Sequence, residues 1–155
     1  MKRKERWTPK AVGNDAEKLV DEIAHAAGLQ WDSESVVDGA KRRSKGGVDR
    51  VYHLSGGRKL YAEIKFSKDG RYTYKANSEQ RDIKWSQIGI LNKAHIDGYE
   101  AGFIFVTPDR TPVFVRISDF MRRYTETMLN HIKFAESEAI GVKLDDMVWR
   151  SEYIG

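Results

Sequence analysis

Cysteine is absent from this 155-residue sequence, and proline occurs only 3 times. Without thiols the chain can form neither disulfides nor thiolate metal sites, which suits a reducing cytoplasm. Metal ligands must therefore be oxygens or imidazoles. Long apolar runs are missing too: no stretch approaches the ~18 residues that read as a membrane span. The opening MKRKERWTPK is charged, with no apolar segment behind it, so neither a membrane partner nor a secretory signal is expected. His25, His53, His95 and His131 lack H-E-x-x-H spacing, and there is no G-x-x-x-x-G-K-[ST] loop or G-x-S-x-G elbow. Zinc-peptidase, P-loop and α/β-hydrolase chemistries are poorly served.

What is present suffices for a single core over residues 1–155: 40% of residues are apolar and 11% aromatic. The net charge of +4 is unevenly distributed. Lys2, Arg3, Lys4, Arg6 and Lys10 face only Glu5 in the first ten positions, where residues 1–13 read as a basic arm. Lys41, Arg42, Arg43, Lys45 and Arg50 face only Asp49 in a second cluster. Such clusters suit a polyanion, most often nucleic acid, since neutralised phosphates release counterions; they are also what a solvated basic surface looks like.

From an N-cap at Asn14 or Asp15, the apolar positions Ala16, Leu19, Val20, Ile23, Ala24 and Ala27 recur at helical spacing, and Gly28 supplies the stop. A short strand is expected over 35–38, then strands over 48–54 and 59–66 around a Ser55-Gly56-Gly57-Arg58 turn. The spacing next predicts a helix over about 79–95, strands in AGFIFVT and PVFVRI, and a helix from Ser118 through Phe120, Tyr124 and Met128 toward Phe134. The order points to one α/β domain with a mixed sheet of four to five strands flanked by helices, and GFIFV fits a strand buried on both faces. Residues 118–155 read as a C-terminal helix and tail in which Phe120, Met121, Tyr124, Met128 and MVWRSEY form either a dimer interface or the closure of the core.

The chemistry sits in the hairpin. Strand alternation sends Leu60, Ala62, Ile64 and Phe66 one way and Tyr61, Glu63 and Lys65 the other, and a short hairpin brings Asp49 near Glu63 or Lys65. Two carboxylates and an ammonium thus converge. Mg²⁺ takes hard oxygen ligands, usually one or two carboxylates with water and substrate phosphate, so Asp49 and Glu63 can supply them while Lys65 orients water and offsets phosphate charge. An E-x-K pair is equally ordinary patterning on the polar face of a strand. Gln87 shares a helical stripe with Ile83, Leu91 and Ala94; a buried amide there either bonds backbone or water, or supports a metal-bound group. Arg71, Tyr72, Tyr74, Lys75, Arg81, Lys84 and Trp85 interleave bases and aromatics, a pattern that can grip phosphates and stack on bases or simply cover the core.

The motifs GNDAEK, RRSKGGVD, AEIK and SQIGIL, in this order over about residues 13–117, resemble the PD-(D/E)XK nuclease superfamily. Within it they look like the archaeal-type and RecU-type Holliday junction resolvases. The resemblance implies a restriction-endonuclease-like core, Glu17 as the first-helix acid completing the metal site, Asp49 and Glu63 as ligands, Lys65 as catalytic lysine and Ser44 as an auxiliary serine. Val48 stands where the superfamily's name has proline. Further implications are Mg²⁺ as cofactor, with Mn²⁺ able to substitute, and branched DNA as partner, gripped by Lys2, Arg3, Lys4, Arg6, Lys41, Arg42, Arg43, Lys45, Arg71, Lys75, Arg81 and Lys84. A homodimer suits a two-fold substrate. The setting would be recombination and repair in a cytoplasmic, nucleoid-associated protein of a cell or a phage. Other readings are a nuclease of the same superfamily acting on duplexes, flaps or RNA, and a non-catalytic DNA-binding module.

Overall fold

The most apolar run of the chain forms the middle of its sheet. The computed structural model describes residues 9–33, 48–74 and 83–145. In chain order the elements are α1 (Pro9–Ala26), β1 (Gln30–Ser33), β2 (Arg50–His53), β3 (Lys59–Phe66), β4 (Arg71–Thr73), α2 (Trp85–Ile96), β5 (Glu100–Val106), β6 (Val113–Arg116), α3 (Ile117–Thr127), β7 (His131–Lys133), α4 (Phe134–Ile140) and β8 (Val142–Lys143). The main sheet runs β1-β2-β3-β5-β6-β8, and β4 pairs with β7 in a small second sheet. Only β3 and β5 pair in parallel, from Leu60↔Glu100 to Phe66↔Val106; the other described ladders are antiparallel.

Alternation along the strands builds two cores. Leu60, Ala62, Ile104 and Val106 meet Ala16, Val20 and Ala24 of α1 on one face. On the other, Val51, Phe103, Phe105 and Val115 meet Ile88 and Leu91 of α2, Phe120 of α3, and Tyr72 and Ile132 of the small sheet. Phe103, Ile104 and Phe105 are fully buried, each side chain contributing about 1.5–3 kcal/mol of apolar burial. Being covered on both faces makes GFIFV continuous in apolarity, as expected from its sequence.

Several boundaries differ from expectation. The first helix starts at Pro9 rather than at residue 14 or 15, so residues 9–13, expected in the basic arm, are its opening turns. Proline suits a first helical position, where its fixed φ and missing N–H do no harm. Gly28 ends that helix as expected, at φ +85°, with Leu29 N–H closing on Ala24 O at 3.0 Å. A strand occurs at Gln30–Ser33, where Trp31 pairs with Tyr52; the expected strand at 35–38 lies outside the described residues. The second long helix begins at Trp85, with Ile83 and Lys84 outside it.

The C-terminal region departs most. Instead of one helix running toward Phe134, α3 stops at Thr127 because Met128 takes φ +58°. The chain then adds β7, a seven-residue helix and β8. The main sheet consequently has six strands rather than four or five. A methionine in the left-handed region carries no glycine-like signal, so this stop was not legible.

Candidate active site

The β2–β3 register pairs Arg50 with Ala62, which sets the preceding residue, Asp49, opposite Glu63 just before β2 begins. Paired side chains in an antiparallel ladder share a face. The Asp49 carboxylate reaches across to accept the Ile64 N–H at 2.8 Å, anchoring it to the strand that carries Glu63. Glu63 is buried although it is ionisable. Burial first, and the adjacent Asp49 charge second, push its carboxyl pKa up to about 8, with the Lys65 ammonium pulling the other way and a carboxyl–carboxyl hydrogen bond to Asp49 adding to the rise. The E-x-K pair therefore lies at a buried carboxylate crossing, which ordinary surface patterning does not explain.

Gln87 is tied into this crossing. Its Nε2 donates to Glu63 Oε2 at 3.2 Å while its Oε1 accepts the Lys84 N–H at 3.1 Å, so the start of α2 fixes the amide and the amide orients the acid. Ile88 and Leu91, buried beneath the same helix, hold it against the sheet.

Glu17 is placed differently. Its carboxylate accepts from Arg50 Nη2 at 3.0 Å, and Asp21, one turn along α1, takes two further bonds from the same guanidinium at 2.9 Å each. Arg50 also donates to Asp49 O at 2.7 Å. Burial alone would lower the Arg50 pKa, but the Asp21 bond and the charges of Asp21 and Glu17 outweigh it and the net shift is upward. Arg50, counted in the sequence as part of a basic cluster, is thus an internal counter-charge rather than a surface base. Asp21 escaped notice, although an acid four residues after Glu17 beside the Ala16, Val20, Ala24 stripe was its available signal. Among the described residues no group of three His, Cys, Asp or Glu side chains is placed to hold a metal ion. Asp49 and Glu63 come together; Glu17 is engaged with Arg50.

Two hard, crowded carboxylates fit a divalent cation such as Mg²⁺, which commonly takes one or two protein carboxylates and completes its shell with water and phosphate. The raised Glu63 pKa fits as well, since a cation there would relieve the repulsion that raises it.

The aromatic interleaving resolves mostly into core. Tyr72 is fully buried with its hydroxyl donating to Val106 O at 2.5 Å, and Tyr74 is buried with its ring against Phe120 and Tyr124. Neither is available for base stacking. Trp85 is partly exposed, edge-on to Tyr124. Arg71 and Lys84 are exposed. Lys2, Arg3, Lys4, Arg6, Lys41, Arg42, Arg43, Ser44, Lys45, Lys75 and Arg81 lie outside the described residues. No helix of the described residues is long and apolar enough to cross a membrane.

No protein-family model matches the chain, and no curated protein matches it in sequence. Among solved structures it is similar to Archaeoglobus fulgidus Hjc, a Holliday junction resolvase from an archaeal hyperthermophile, with 20% identity and a TM-score of 0.57 over 86% of this chain and 98% of that one. At that identity the likeness concerns the fold: a restriction-endonuclease-like α/β core with its mixed sheet flanked by helices. The fold expected from the motifs GNDAEK to SQIGIL is the fold observed.

Proposed function

We propose that this chain is a metal-dependent endonuclease that hydrolyses phosphodiester bonds in branched DNA, with the four-way junction as substrate. The observation that carries the reading is the crossing of Asp49 and Glu63 on one face of a hairpin, with Lys65 two residues along the same face. The fold shared with a junction resolvase supports it. In this reading Asp49, fixed by the Ile64 N–H, and Glu63, oriented by Gln87, hold Mg²⁺ or Mn²⁺. A cation held there supplies Lewis-acid charge at the scissile phosphate. Lys65 orients the attacking water and offsets the charge that develops on the phosphoryl oxygens. Glu17 acts from α1 through Arg50, whose guanidinium also bonds Asp49 O; direct ligation would require its carboxylate to leave Arg50.

Resolution of a two-fold junction takes paired nicks, which favours a homodimer with two sites. Of the residues expected at an interface, Phe120 is fully buried and closes the core while Met128 is 69% exposed; Ile96, 80% exposed, Leu129, 43% exposed, and Trp85, 37% exposed, are further apolar surface among the described residues, and MVWRSEY lies outside them.

The test is cleavage of a labelled four-way junction and of matching linear duplex, with Mg²⁺ and with chelator. Junction cutting that needs the metal and disappears in Lys65→Ala, with binding retained, is the expected result. Equal cutting of junction and duplex removes junction selectivity but leaves a nuclease; wild-type cutting by Lys65→Ala removes the mechanism. An RNA junction in parallel tests the choice of sugar.

A further inference from the structure

Beyond the end of β3 lies an open groove of about 500 Å³ lined by Lys68, Asp69, Arg71, Arg110, Lys133 and Phe134, among others. Its charge is lopsided. Arg110 is neutralised by a two-pronged pair with Glu138 at 2.7 and 2.8 Å and lies over the Phe134 ring. Lys68, Arg71 and Lys133 make no ion pair with a described residue within 4.0 Å. The one carboxylate lining the groove, Asp69, is occupied by Ser67 Oγ at 2.7 Å and by the Arg71 N–H at 3.2 Å.

The arrangement of two of these cations goes against sheet energetics. Arg71 and Lys133 are direct partners in the β4–β7 ladder, and both are exposed on the side away from buried Tyr72 and Ile132. Like charges directly opposite one another destabilise a strand pair. An anion lying between them would turn that repulsion into attraction. The backbone beneath is fixed for the purpose: Ser67 Oγ accepts the Arg71 N–H at 3.0 Å, and Gly70 O accepts the Phe134 N–H at 2.7 Å. The same field reaches His131, whose pKa is pushed down by burial and then by the Arg71 and Arg123 charges.

We infer that this groove is a second phosphate track, in which Arg71 and Lys133, assisted by Lys68, hold the backbone of a nucleic-acid strand beyond the phosphate cut at Asp49 and Glu63. The inference rests on the reading of that crossing as a nuclease site. Position supports it. Lys68 follows Lys65 by three residues, a reach of at most about 11 Å, and the small sheet packs on the same face of the main sheet as Glu63.

The test is metal-free binding of a labelled four-way junction by the full chain, followed by anisotropy across a range of NaCl concentrations. Each phosphate contact contributes about 0.9 to the slope of log K against log salt. Arg71→Ala/Lys133→Ala should make that slope shallower by roughly 2, and Lys68→Ala by roughly 1, whereas Arg58→Ala, at the other end of β3, should leave it unchanged. The double variant should melt no lower than wild type, since it removes a like-charge pair, so a weaker complex cannot be ascribed to unfolding. A wild-type slope in the double variant, or no DNA binding by the wild type, overturns the inference. The two readings fail separately: a shallower slope in a protein that never cleaves keeps the track and removes the nuclease, while metal-dependent cleavage with an unchanged slope does the reverse.

Discussion

Two pairs of acids flank the β2–β3 hairpin, and they are treated in opposite ways. On the α1 side, Glu17 and Asp21 converge on the Arg50 guanidinium, which is 7% exposed and makes three charged bonds to them. On the other side, Asp49 and Glu63 face each other; Lys65 lowers the Glu63 pKa, but burial and Asp49 raise it more. The first cluster still carries one net negative charge, but both of its acids bond directly to the guanidinium, and it serves stability. The second keeps a repulsion that folding alone does not relieve, which is the electrostatic condition for taking up a cation from solution. Carboxylate count is the same in both; what distinguishes them is that the acids of the first are hydrogen-bonded to the guanidinium, while in the second burial and Asp49 leave the Glu63 pKa raised despite Lys65.

The sharpest way to break this comparison is at the second cluster. Glu63→Gln and Asp49→Asn should each lower junction cleavage by about 10³-fold or more, measured as initial rates, because each removes a hard ligand and the charge that would hold the metal. At pH 9, above the Glu63 pKa of about 8, neither should lower the urea midpoint, since each then removes one partner of a like-charge pair. At the first cluster the pattern should invert. Arg50→Met leaves two acids without their counter-charge. Removing one partner of a fully buried pair costs about 3–5 kcal/mol, and because Glu17 and Asp21 are 40% and 26% exposed, roughly 2 kcal/mol is expected, read as a lower urea midpoint.

A smaller effect should appear with pH. The Glu63 carboxyl, ordinarily near 4.5, lies at about 8 in the folded protein, so the folded state holds a proton that the unfolded chain releases. Its contribution to stability is present below pH 4.5 and is lost as pH rises toward 8. Metal-free protein should therefore lose Tm between pH 6 and pH 8 by more than Glu63→Gln does, and millimolar Mg²⁺ should restore more at pH 8 than at pH 6. Equal pH profiles for the two proteins would sink the electrostatic account. The smallest effect sharpens the assignment of Glu17. If its role is to hold Arg50, Glu17→Gln should cost about 0.5–1 kcal/mol and reduce cleavage less than tenfold. A loss as large as that of Glu63→Gln, at unchanged stability, places Glu17 with the second cluster instead.

Much of the site was legible because it depends on local rules. Alternation along LYAEIKF puts Glu63 and Lys65 on one face whatever surrounds them, and a short hairpin leaves Asp49 few places to go. The helix bearing Gln87 showed its stripe, though not that the amide would bond Glu63 at one end and Lys84 N–H at the other. The region after Ser118 was misread because α3 is ended by Met128 at a left-handed φ, and because β7 exists only by virtue of pairing with β4, 62 positions away at Arg71↔Lys133. Strands as short as RYT and HIK have no periodicity to read.

The sequence by itself determined the chemistry on offer: acids and a lysine in strand register, no thiols, and an apolar run fit only for a sheet centre. Which acid would receive Arg50 was decided by the tertiary structure. Arg50 and Asp21 are 29 positions apart, and only the docking of α1 on the sheet brings them to 2.9 Å. Side-chain direction along a strand follows from the backbone pleat, whereas the neutralisation of a charge depends on distance in space, and distance is set by packing.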